Sequence, residues 1–401
     1  MRKKKNTNIP IAKTFLTKNE INSVVKPLNS GWLVQGQYVH EFENKFSKYT
    51  ESKYSIAVTS CTSALHLSLA ALGFKANDEA IVPAFTWVST ANAVEYLNGK
   101  VKFCDIDLNT FNIDTNKIEK LITKNTKAIL PVHLFGLPAN MIEIKRIAKK
   151  HKLIVVEDAA CSLGSFYRKM HTGTIGDTGC FSFHPRKSIT TGEGGIITTN
   201  NARLAKKLRT LRDHGAEMSD LQRHLGSKPY LLADHVELGF NYRMTDIQGI
   251  LGSMQMNRVK KIINERRSLA KYYIENLNEL NWLKLPNDQQ NSIHSYQSFP
   301  CLFQPQKLIN LSKSNYKKIL IEINKTRNKI MDHLFQKGIS TRPATHAVHM
   351  LSFYKNKYKL KDEDFYYAHI ANDASISLPL YNGMKKSDQN FVISTLKNIK
   401  I

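Results

Sequence analysis

The 401-residue sequence contains no run of about 18 apolar residues, the length that a helix needs to span a bilayer. We therefore expect no transmembrane segment and no membrane partner. The amino terminus, MRKKKNTNIP, is basic, but no apolar stretch follows it, so we do not expect a secretory signal. Together these absences predict a cytoplasmic protein.

Cysteine is scarce. The chain has five cysteines, and none are spaced as CxxC. An odd count without such pairs argues against a disulfide framework and against a structural zinc site. His346 and His349 have the spacing of half a metal site, but no Cys, Asp or Glu stands beside them. We therefore expect no bound metal.

Acidic residues are also few. Lys and Arg number 58 against 33 Asp and Glu, which gives a formal net charge of +25. Such a charge permits phosphate attraction, but the lysines are spread along the chain and no nucleic-acid-binding signature is present. We therefore expect no nucleic-acid partner. The positive charge is equally suited to a small substrate that carries phosphates.

A regular alternation of short apolar runs and helical patterns is present between residues 54 and 160. The predicted strands are 55–59, 80–82, 101–104, 128–132 and 153–156. Strands that alternate with helices at this spacing predict an α/β domain with a mostly parallel sheet. From about residue 265 the alternation stops. We expect a large α/β domain at 11–264 and a smaller α+β domain at 265–401.

Ligands of parallel sheets collect at the carboxyl ends of the strands, and three such ends carry notable residues. Thr62 and Ser63 lie at the start of the helix that follows the first strand. Hydroxyl groups there either cap the helix or help to bind a phosphate. Trp87 follows the second strand and is either core or a surface that stacks on a ligand ring. Asp158 follows the fifth strand and needs a cationic partner, which could be a side chain or a protonated cofactor nitrogen.

The segment 179–200, GCFSFHPRKSITTGEGGIITTN, reads as strand, tight loop and strand. It presents a single lysine, Lys187, on the loop. By itself this lysine could be an ordinary solvated loop residue. In one α/β domain, however, the four features together fit pyridoxal phosphate (PLP), whose aldehyde forms a Schiff base with a lysine and whose pyridine nitrogen pairs with an acid.

The sequence resembles the DegT/DnrJ/StrS family of fold-type I, PLP-dependent nucleotide-sugar aminotransferases over residues 11–398. The motifs that carry the resemblance are SCTSALH at 60–66, FTW at 85–87, EDAA at 157–160, FSFHPRK at 181–187 with GEGG at 192–195, and GFNYRM at 239–244. Weaker echoes follow in GISTRP at 338–343 and SLPLY at 377–381.

The resemblance implies a role for each matching residue. Lys187 would bind the cofactor covalently and shuttle the proton, and Asp158 would pair with the pyridine nitrogen. Trp87 would stack on the ring. Three hydroxyl residues would hold the phosphate, namely Thr62, Ser63 and Ser182. Asn241 would reach the phosphate of the neighbouring subunit's cofactor, which requires a homodimer.

One position departs from the family pattern. Three residues past Asp158 the family often has Gln or His, which supports the ring hydroxyl, whereas this chain has Cys161, a weak hydrogen bonder. We still expect Cys161 to contact the cofactor. Arg186, Arg342 and His346 are expected to contact the substrate, and the arginines could bind either a diphosphate or the carboxylate of an amino donor.

The reaction implied by the resemblance moves an amino group from a donor to a keto-deoxy sugar linked to a nucleotide diphosphate. The donor that the family implies is glutamate. The stretch 341–343 resembles perosamine-type enzymes and favours a 4-keto-6-deoxy sugar destined for polysaccharide or glycan. Three alternatives stay open: a 3-keto-sugar or cyclitol aminotransferase, a PLP-dependent sugar dehydratase, and a non-catalytic PLP-binding regulator. In the dehydratases a histidine replaces the cofactor lysine, so the presence of Lys187 favours transamination.

Overall fold

The computed structural model describes residues 8–309, 311 and 315–400. A seven-stranded sheet forms its centre. Its strands, β1 to β7 in chain order, are Tyr54–Val58, Glu79–Pro83, Lys100–Cys104, Thr126–Ile129, Ile154–Asp158, Thr178–Ser182 and Gly195–Thr199. Their spatial order is β1-β7-β6-β5-β4-β2-β3. Strand β7 runs antiparallel to both of its neighbours, and the other pairings are parallel, which confirms the predicted mostly parallel α/β sheet.

Helices connect and cover these strands. The longer ones, α1 to α11 in chain order, are Gln37–Thr50, Cys61–Ala71, Ser89–Glu95, Met141–His151, Ala202–Arg212, Asp246–Met256, Val259–Leu277, Tyr316–Gln336, Ser352–Tyr358, Tyr366–Ala374 and Lys386–Lys397. Shorter helices are Lys18–Ser23, Val25–Ser30, Thr115–Ile118, Asp220–Leu225 and Pro305–Ile309, and 3-10 turns are Glu119–Leu121, Leu134–Gly136, Val348–Met350 and Asp362–Phe365. Among the described residues, every helix is too short or too polar to cross a bilayer.

The sheet is buried on both faces, as the side-chain alternation of its strands requires. In β6, Phe181 points to one face and packs with Phe46 of α1, with ring centroids 5.0 Å apart. Its neighbour Cys180 belongs to the core on the opposite face. The same division separates Ile196 from Ile197 in β7. Successive residues of a strand face opposite sides, so two apolar layers of helices are needed to cover them.

Some predicted elements differ from those in the structure. The sequence predicts one long helix from Thr245 to about residue 278, with Thr245 or Asp246 near its cap, but the structure has two helices, α6 and α7. Thr245 caps α6 as expected and forms a capping box with Gln248. The chain leaves helical geometry at Arg258, whose guanidinium pairs with the buried Glu20. That ion pair ties the break to the amino-terminal arm, a contact that local sequence patterns do not report.

The sequence also predicts a strand at 340–343, a surface loop at 355–364 and a long polar loop at 217–235, and the structure differs from each of these three predictions. The strand expected at 340–343 is only an isolated bridge between Arg342 and Ser377. The surface loop expected at 355–364 carries the end of α9 and a 3-10 turn. The loop expected at 217–235 contains the helix Asp220–Leu225. In each case tertiary contacts overrode a weak local signal.

The carboxy-terminal part is α+β. Its small sheet contains Leu283–Lys284, Phe299–Phe303 and Ser375–Leu378 in antiparallel order, and α8 packs beside α10. Helix α7 is continuous across residues 264 and 265. Within it, the buried Arg266 donates to the backbone carbonyls of Tyr296 and Leu380 and so ties this helix to the carboxy-terminal part. The division of the chain at 264 stays a prediction.

Candidate active site

A cleft of about 670 Å³ lies at the carboxyl ends of β1, β2, β5 and β6, where it meets segment 342–346. The sequence-predicted site residues that line it are Thr62, Trp87, Asp158, Cys161, Ser182, Arg186, Lys187, Arg342 and His346. Parallel strands bring their carboxyl ends to one edge of a sheet, which explains why residues more than 100 positions apart meet there.

The hairpin of β6 and β7 presents Lys187. The Lys187 N–H donates to the carbonyl of His184 at 2.8 Å and closes a turn, and the lysine amine donates to the Sγ atom of Cys161 at 3.1 Å. Gly192 has a φ of +85°, a conformation that favours glycine. At Gly195 a Cβ atom would lie 2.4 Å from the Ser60 carbonyl, so only glycine lets β7 approach the start of α2 this closely.

Asp158 ends β5 and is 4% exposed. Its Oδ2 atom accepts a hydrogen bond from Thr90 Oγ1 at 2.7 Å, and its Oδ1 atom accepts one from the Ala160 N–H at 3.1 Å. The backbone of Asp158 is also held, because its N–H donates to the Pro131 carbonyl at 2.8 Å and its carbonyl accepts from His133 at 3.0 Å. The carboxylate therefore has a defined place on the cleft wall.

Glu157, one residue earlier, is fully buried outside the cleft. Its carboxylate lies 2.8 Å from His133 Nε2 and accepts three backbone N–H bonds, from Gly173, Ile175 and Gly176. Burial by itself would raise the pKa of Glu157, but His133 and these N–H groups outweigh burial and lower it. Glu157 is thus a structural acid that anchors β5, while Asp158 lines the cleft.

Hydroxyl groups surround the start of α2. Ser60 caps the helix by accepting from the Ser63 N–H at 3.0 Å. The Ser63 hydroxyl forms hydrogen bonds with Ser60 and Thr59, so it lies behind the cleft lining. Thr62 faces the cleft, and its hydroxyl donates to Ser89 Oγ at 2.9 Å. The unpaired N–H groups and the dipole of an eleven-residue helix favour an anion at this point.

Trp87 leaves a large apolar surface open on the cleft wall. Its side chain is 52% exposed, and its ring centroid lies 5.6 Å from that of His346. An indole open to a cleft is an unusual arrangement for the largest apolar side chain, and it suits a flat ring that stacks on it.

Two arginines bring positive charge to the same cleft. Arg342 Nε is buried without a hydrogen-bond partner in the described part of the chain. Burial, and next the nearby Arg186, lower the pKa of Arg342. Over the residues that the structure describes, neither guanidinium lies within ion-pair distance of a carboxylate. Unpaired cations facing a cleft call for an anionic ligand.

Asn241 lies outside the cleft of its own chain. It is exposed and forms a backbone bridge with Asp213, and Arg243 pairs with Asp213 at 2.5 Å. Of the residues predicted to contact the cofactor, Asn241 and Ser63 are the two that do not line the cleft.

Comparison with known proteins shows which chemistry this cleft serves. The model of the DegT/DnrJ/EryC1/StrS aminotransferase family matches residues 15–397. The chain belongs to this family. It is therefore a PLP-dependent sugar aminotransferase.

Among its relatives, the GDP-perosamine synthase of Caulobacter vibrioides is 34% identical over 395 residues, which cover 98% of each chain. The spore coat polysaccharide biosynthesis protein SpsC of Bacillus subtilis is 32% identical over 401 residues, 100% of this chain and 99% of SpsC. The PMP form of Spr1654 from Streptococcus pneumoniae superposes with a TM-score of 0.87 at 26% identity, covering 97% of this chain and 98% of that one.

The residues of this aminotransferase fit the family's cofactor. The cleft offers a primary amine, a buried carboxylate, an open indole and a helix amino terminus with hydroxyl groups, which together match the aldehyde, ring nitrogen, ring face and phosphate of PLP. Gly195, where a Cβ atom would collide with Ser60, leaves the backbone room to pass beside the turn that opens α2.

Sequence reasoning missed some cleft residues and the contacts behind them. Cleft residues that were not predicted include Ser60, Ser89, His184, Glu193, Gln297 and Asn372. Thr90, which binds Asp158, was also missed. Ser89 and Thr90 follow the FTW motif after one intervening residue, Val88, so their position after a strand end was an available signal. Gln297 and Asn372 come from the carboxy-terminal part, and no local pattern marks them.

Proposed function

We propose that this enzyme transfers an amino group from glutamate to a keto-deoxy sugar linked to a nucleotide diphosphate, with a 4-keto-6-deoxy sugar as the acceptor. The observation that carries the proposal is the convergence of Lys187, Arg186 and Arg342 on one cleft. The lysine supplies the primary amine that would bind the cofactor aldehyde. The two unpaired guanidinium groups suit the anionic parts of both substrates.

The cofactor would be held by the residues that the cleft presents. Lys187 would bind its aldehyde, Asp158 its ring nitrogen and Trp87 its ring face, while Thr62 and Ser182 would bind its phosphate. Ser63 would support this turn from behind. When bound, the cofactor supplies an electron sink that stabilises the carbon losing a proton.

The protein's own part in the reaction falls mainly to Lys187. Its amine would take the proton from the donor carbon and deliver it to the cofactor carbon that receives the amino group. This transfer requires that the amine lie close to both carbons. Cys161, in contact with the lysine amine, would lie next to this path. The carboxylate of Asp158 would keep a positive charge on the ring nitrogen.

Substrate binding would fall to the cationic rim. Arg342 would bind the carboxylate of the amino donor or the diphosphate of the sugar nucleotide, and Arg186 and His346 would line the entrance. The relatives support this assignment, because one is named for a GDP-linked amino sugar and another for polysaccharide biosynthesis. A product destined for polysaccharide or glycan follows from the same names.

We also propose a homodimer with a shared active site. Six apolar side chains between residues 225 and 238 are each more than half exposed: Leu225, Tyr230, Leu231, Leu232, Val236 and Leu238. A patch of this kind indicates a protein interface. Asn241 follows this patch and lies away from its own cleft, so it would reach the cofactor phosphate of the partner subunit. We further propose that the chain divides into two domains near residue 264 and that the protein is cytoplasmic.

The test is a panel of nucleotide-linked 3-keto and 4-keto-6-deoxy sugars, incubated with the PLP-loaded enzyme and glutamate. Mass spectrometry of the sugar nucleotide separates replacement of the carbonyl oxygen by an amine from loss of water, which a dehydratase would produce. We expect an amine on the 4-keto sugar and formation of 2-oxoglutarate, with no product from the Lys187→Ala variant. Water loss, or no reaction with any sugar, would contradict the proposal.

A further inference from the structure

Thr90 lies behind the cleft wall, in the first turn of the helix that follows Trp87. Its hydroxyl contacts the carboxylate of Asp158, which lines the cleft. Thr90 belongs to α3, and its side chain is fully buried. The Thr90 hydroxyl has three acceptors within reach: Asp158 Oδ2 at 2.7 Å, the Trp87 carbonyl at 3.3 Å and Thr86 Oγ1 at 3.4 Å. A hydroxyl donates one proton, and the shortest contact, which is also to the charged acceptor, takes it.

We propose that Thr90 is a positioning residue that sets the orientation of the Asp158 carboxylate and thereby the binding and reactivity of the cofactor. This inference rests on the proposed function, in which Asp158 faces the ring nitrogen. It adds a residue to that site for which the sequence motifs assign no role.

The two hydrogen bonds to Asp158 fall on different oxygen atoms. Ala160 donates to Oδ1 and Thr90 to Oδ2, so together they fix rotation of the carboxylate about its last side-chain bond. That rotation is broad and roughly two-fold when nothing restrains it. Without the Thr90 hydroxyl, the Ala160 bond is the remaining hydrogen bond to this carboxylate among the described residues, and one bond leaves the plane of the group free to turn.

The same turn joins further walls of the site. The Thr90 N–H donates to the Trp87 carbonyl at 3.3 Å, which fixes the backbone that carries the indole. The adjacent Ser89 accepts from Thr62, which faces the cleft at the start of α2. Thr90 therefore couples the carboxylate to the segment that carries the stacking ring, and a change in its hydroxyl should act on cofactor geometry.

The experiment uses the PLP-loaded enzyme with Thr90→Val, which keeps the shape and removes the hydroxyl, and Thr90→Ser, which keeps the hydroxyl. We expect Thr90→Val to lower kcat about 10- to 100-fold with KM changed only slightly, since small displacements of a catalytic group cost this much. The pH dependence of the bound cofactor's absorption should shift, and PLP should be lost faster on dilution. Thr90→Ser should restore most of each property.

Thr50→Val is the matched control. Thr50 is also fully buried and donates its hydroxyl to the Phe46 carbonyl at 2.9 Å, but its hydrogen-bond partners, Phe46, Ser47 and Ser52, all lie outside the cleft. It should lose comparable stability while keeping kcat and the absorption profile. If Thr90→Val does not fold, Thr90→Ala carries the same expectation at a lower temperature.

The outcomes separate this inference from the proposed function. If Thr90→Val keeps the wild-type kcat and absorption profile while Asp158→Asn loses both, Thr90 is only a packing residue and the inference is overturned. A loss of melting temperature alone, matching that of Thr50→Val, overturns it in the same way. If Asp158→Asn itself behaves as wild type, the proposed role of Asp158 fails and the inference fails with it.

Discussion

The amine of Lys187 donates a hydrogen bond to the thiol of Cys161, with 3.1 Å between Nζ and Sγ. The family resemblance suggested that the residue at 161 supports the ring hydroxyl of the cofactor. The structure places this thiol directly against the lysine. A cysteine beside a lysine in an accessible cleft is in the kind of environment that makes thiols reactive.

Alkylation with iodoacetamide, applied before cofactor is added, should therefore modify Cys161 first and block PLP uptake. Burial raises the pKa of Cys104, Cys180 and Cys301, and burial and then Asp158 raise the pKa of Cys61. These thiols should react at least about tenfold more slowly. Peptide mass spectrometry and cofactor absorbance measure both effects.

The control for this alkylation is Cys161→Ser, which should resist the reagent and still bind PLP. Preloading wild-type enzyme with PLP should protect it. Labelling of another cysteine before Cys161 would contradict the expected order of reactivity. Full PLP uptake by protein labelled at Cys161 would show that this thiol does not border the cofactor site.

Lys187→Ala should abolish the absorption band of bound cofactor and lower turnover by on the order of 10⁴-fold or more, because it removes both the covalent attachment and the proton carrier. Lys187→Arg keeps the charge and should fail equally. The melting temperature should change little, since the side chain lies on a cleft wall. Substantial residual turnover in Lys187→Ala would rule out its proposed role.

Arg342→Gln should raise KM for the anionic substrate that it binds by about 10- to 100-fold, the value of a hydrogen bond to a charged group, with a smaller effect on kcat. Arg186→Gln should have a weaker effect, because Arg186 is exposed to solvent. Separate titrations of glutamate and sugar nucleotide identify which anion Arg342 contacts. Arg203→Gln, on the exposed face of α5, is the control and should leave both KM values unchanged.

Mixed dimers test the shared active site. Lys187→Ala and Asn241→Asp homodimers should each be inactive or nearly so, the second because a carboxylate repels the cofactor phosphate. Co-expression of the two variants should restore about a quarter of the wild-type activity, since half of the dimers are mixed and each has one intact site. No restoration would place Asn241 and Lys187 in the same subunit's site, or remove Asn241 from the site altogether.

His349 should make the folded state sensitive to acid. Its side chain is completely buried. Burial, which disfavours the charged ring, lowers its pKa from 6.5 to about 4. Below pH 6.5 the unfolded chain therefore binds a proton that the folded chain does not, and stability falls as pH decreases towards 4.

The His349→Leu variant should lose this sensitivity. Between pH 8 and pH 5 the wild-type free energy of unfolding should fall by about 2 kcal/mol more than that of the variant, as measured by urea denaturation. His294→Leu is the contrasting case, because the Nδ1 atom of His294 accepts from the Tyr296 N–H at 2.8 Å and its loss leaves that donor unpaired. Equal pH profiles for wild type and His349→Leu would contradict the expectation.

The strand-end residues could be predicted because each sits at a transition between local patterns. An apolar strand that stops at Asp158, and a glycine-rich turn that carries Lys187, are visible in the residues themselves. The parallel order of the sheet then implies that such ends meet. The break before α7 could not be predicted, because it depends on Glu20, 238 residues from Arg258 in the chain.

The sequence by itself determined the α/β class, the family, the cofactor and the residue types that surround it, because periodicity and residue chemistry are local properties of the chain. Only the tertiary structure decided that Cys161 contacts Lys187, that Thr90 holds Asp158, that Glu157 faces away from the cleft and that Asn241 lies outside it. These relationships depend on distances of a few ångströms between side chains, and packing across the whole fold sets those distances.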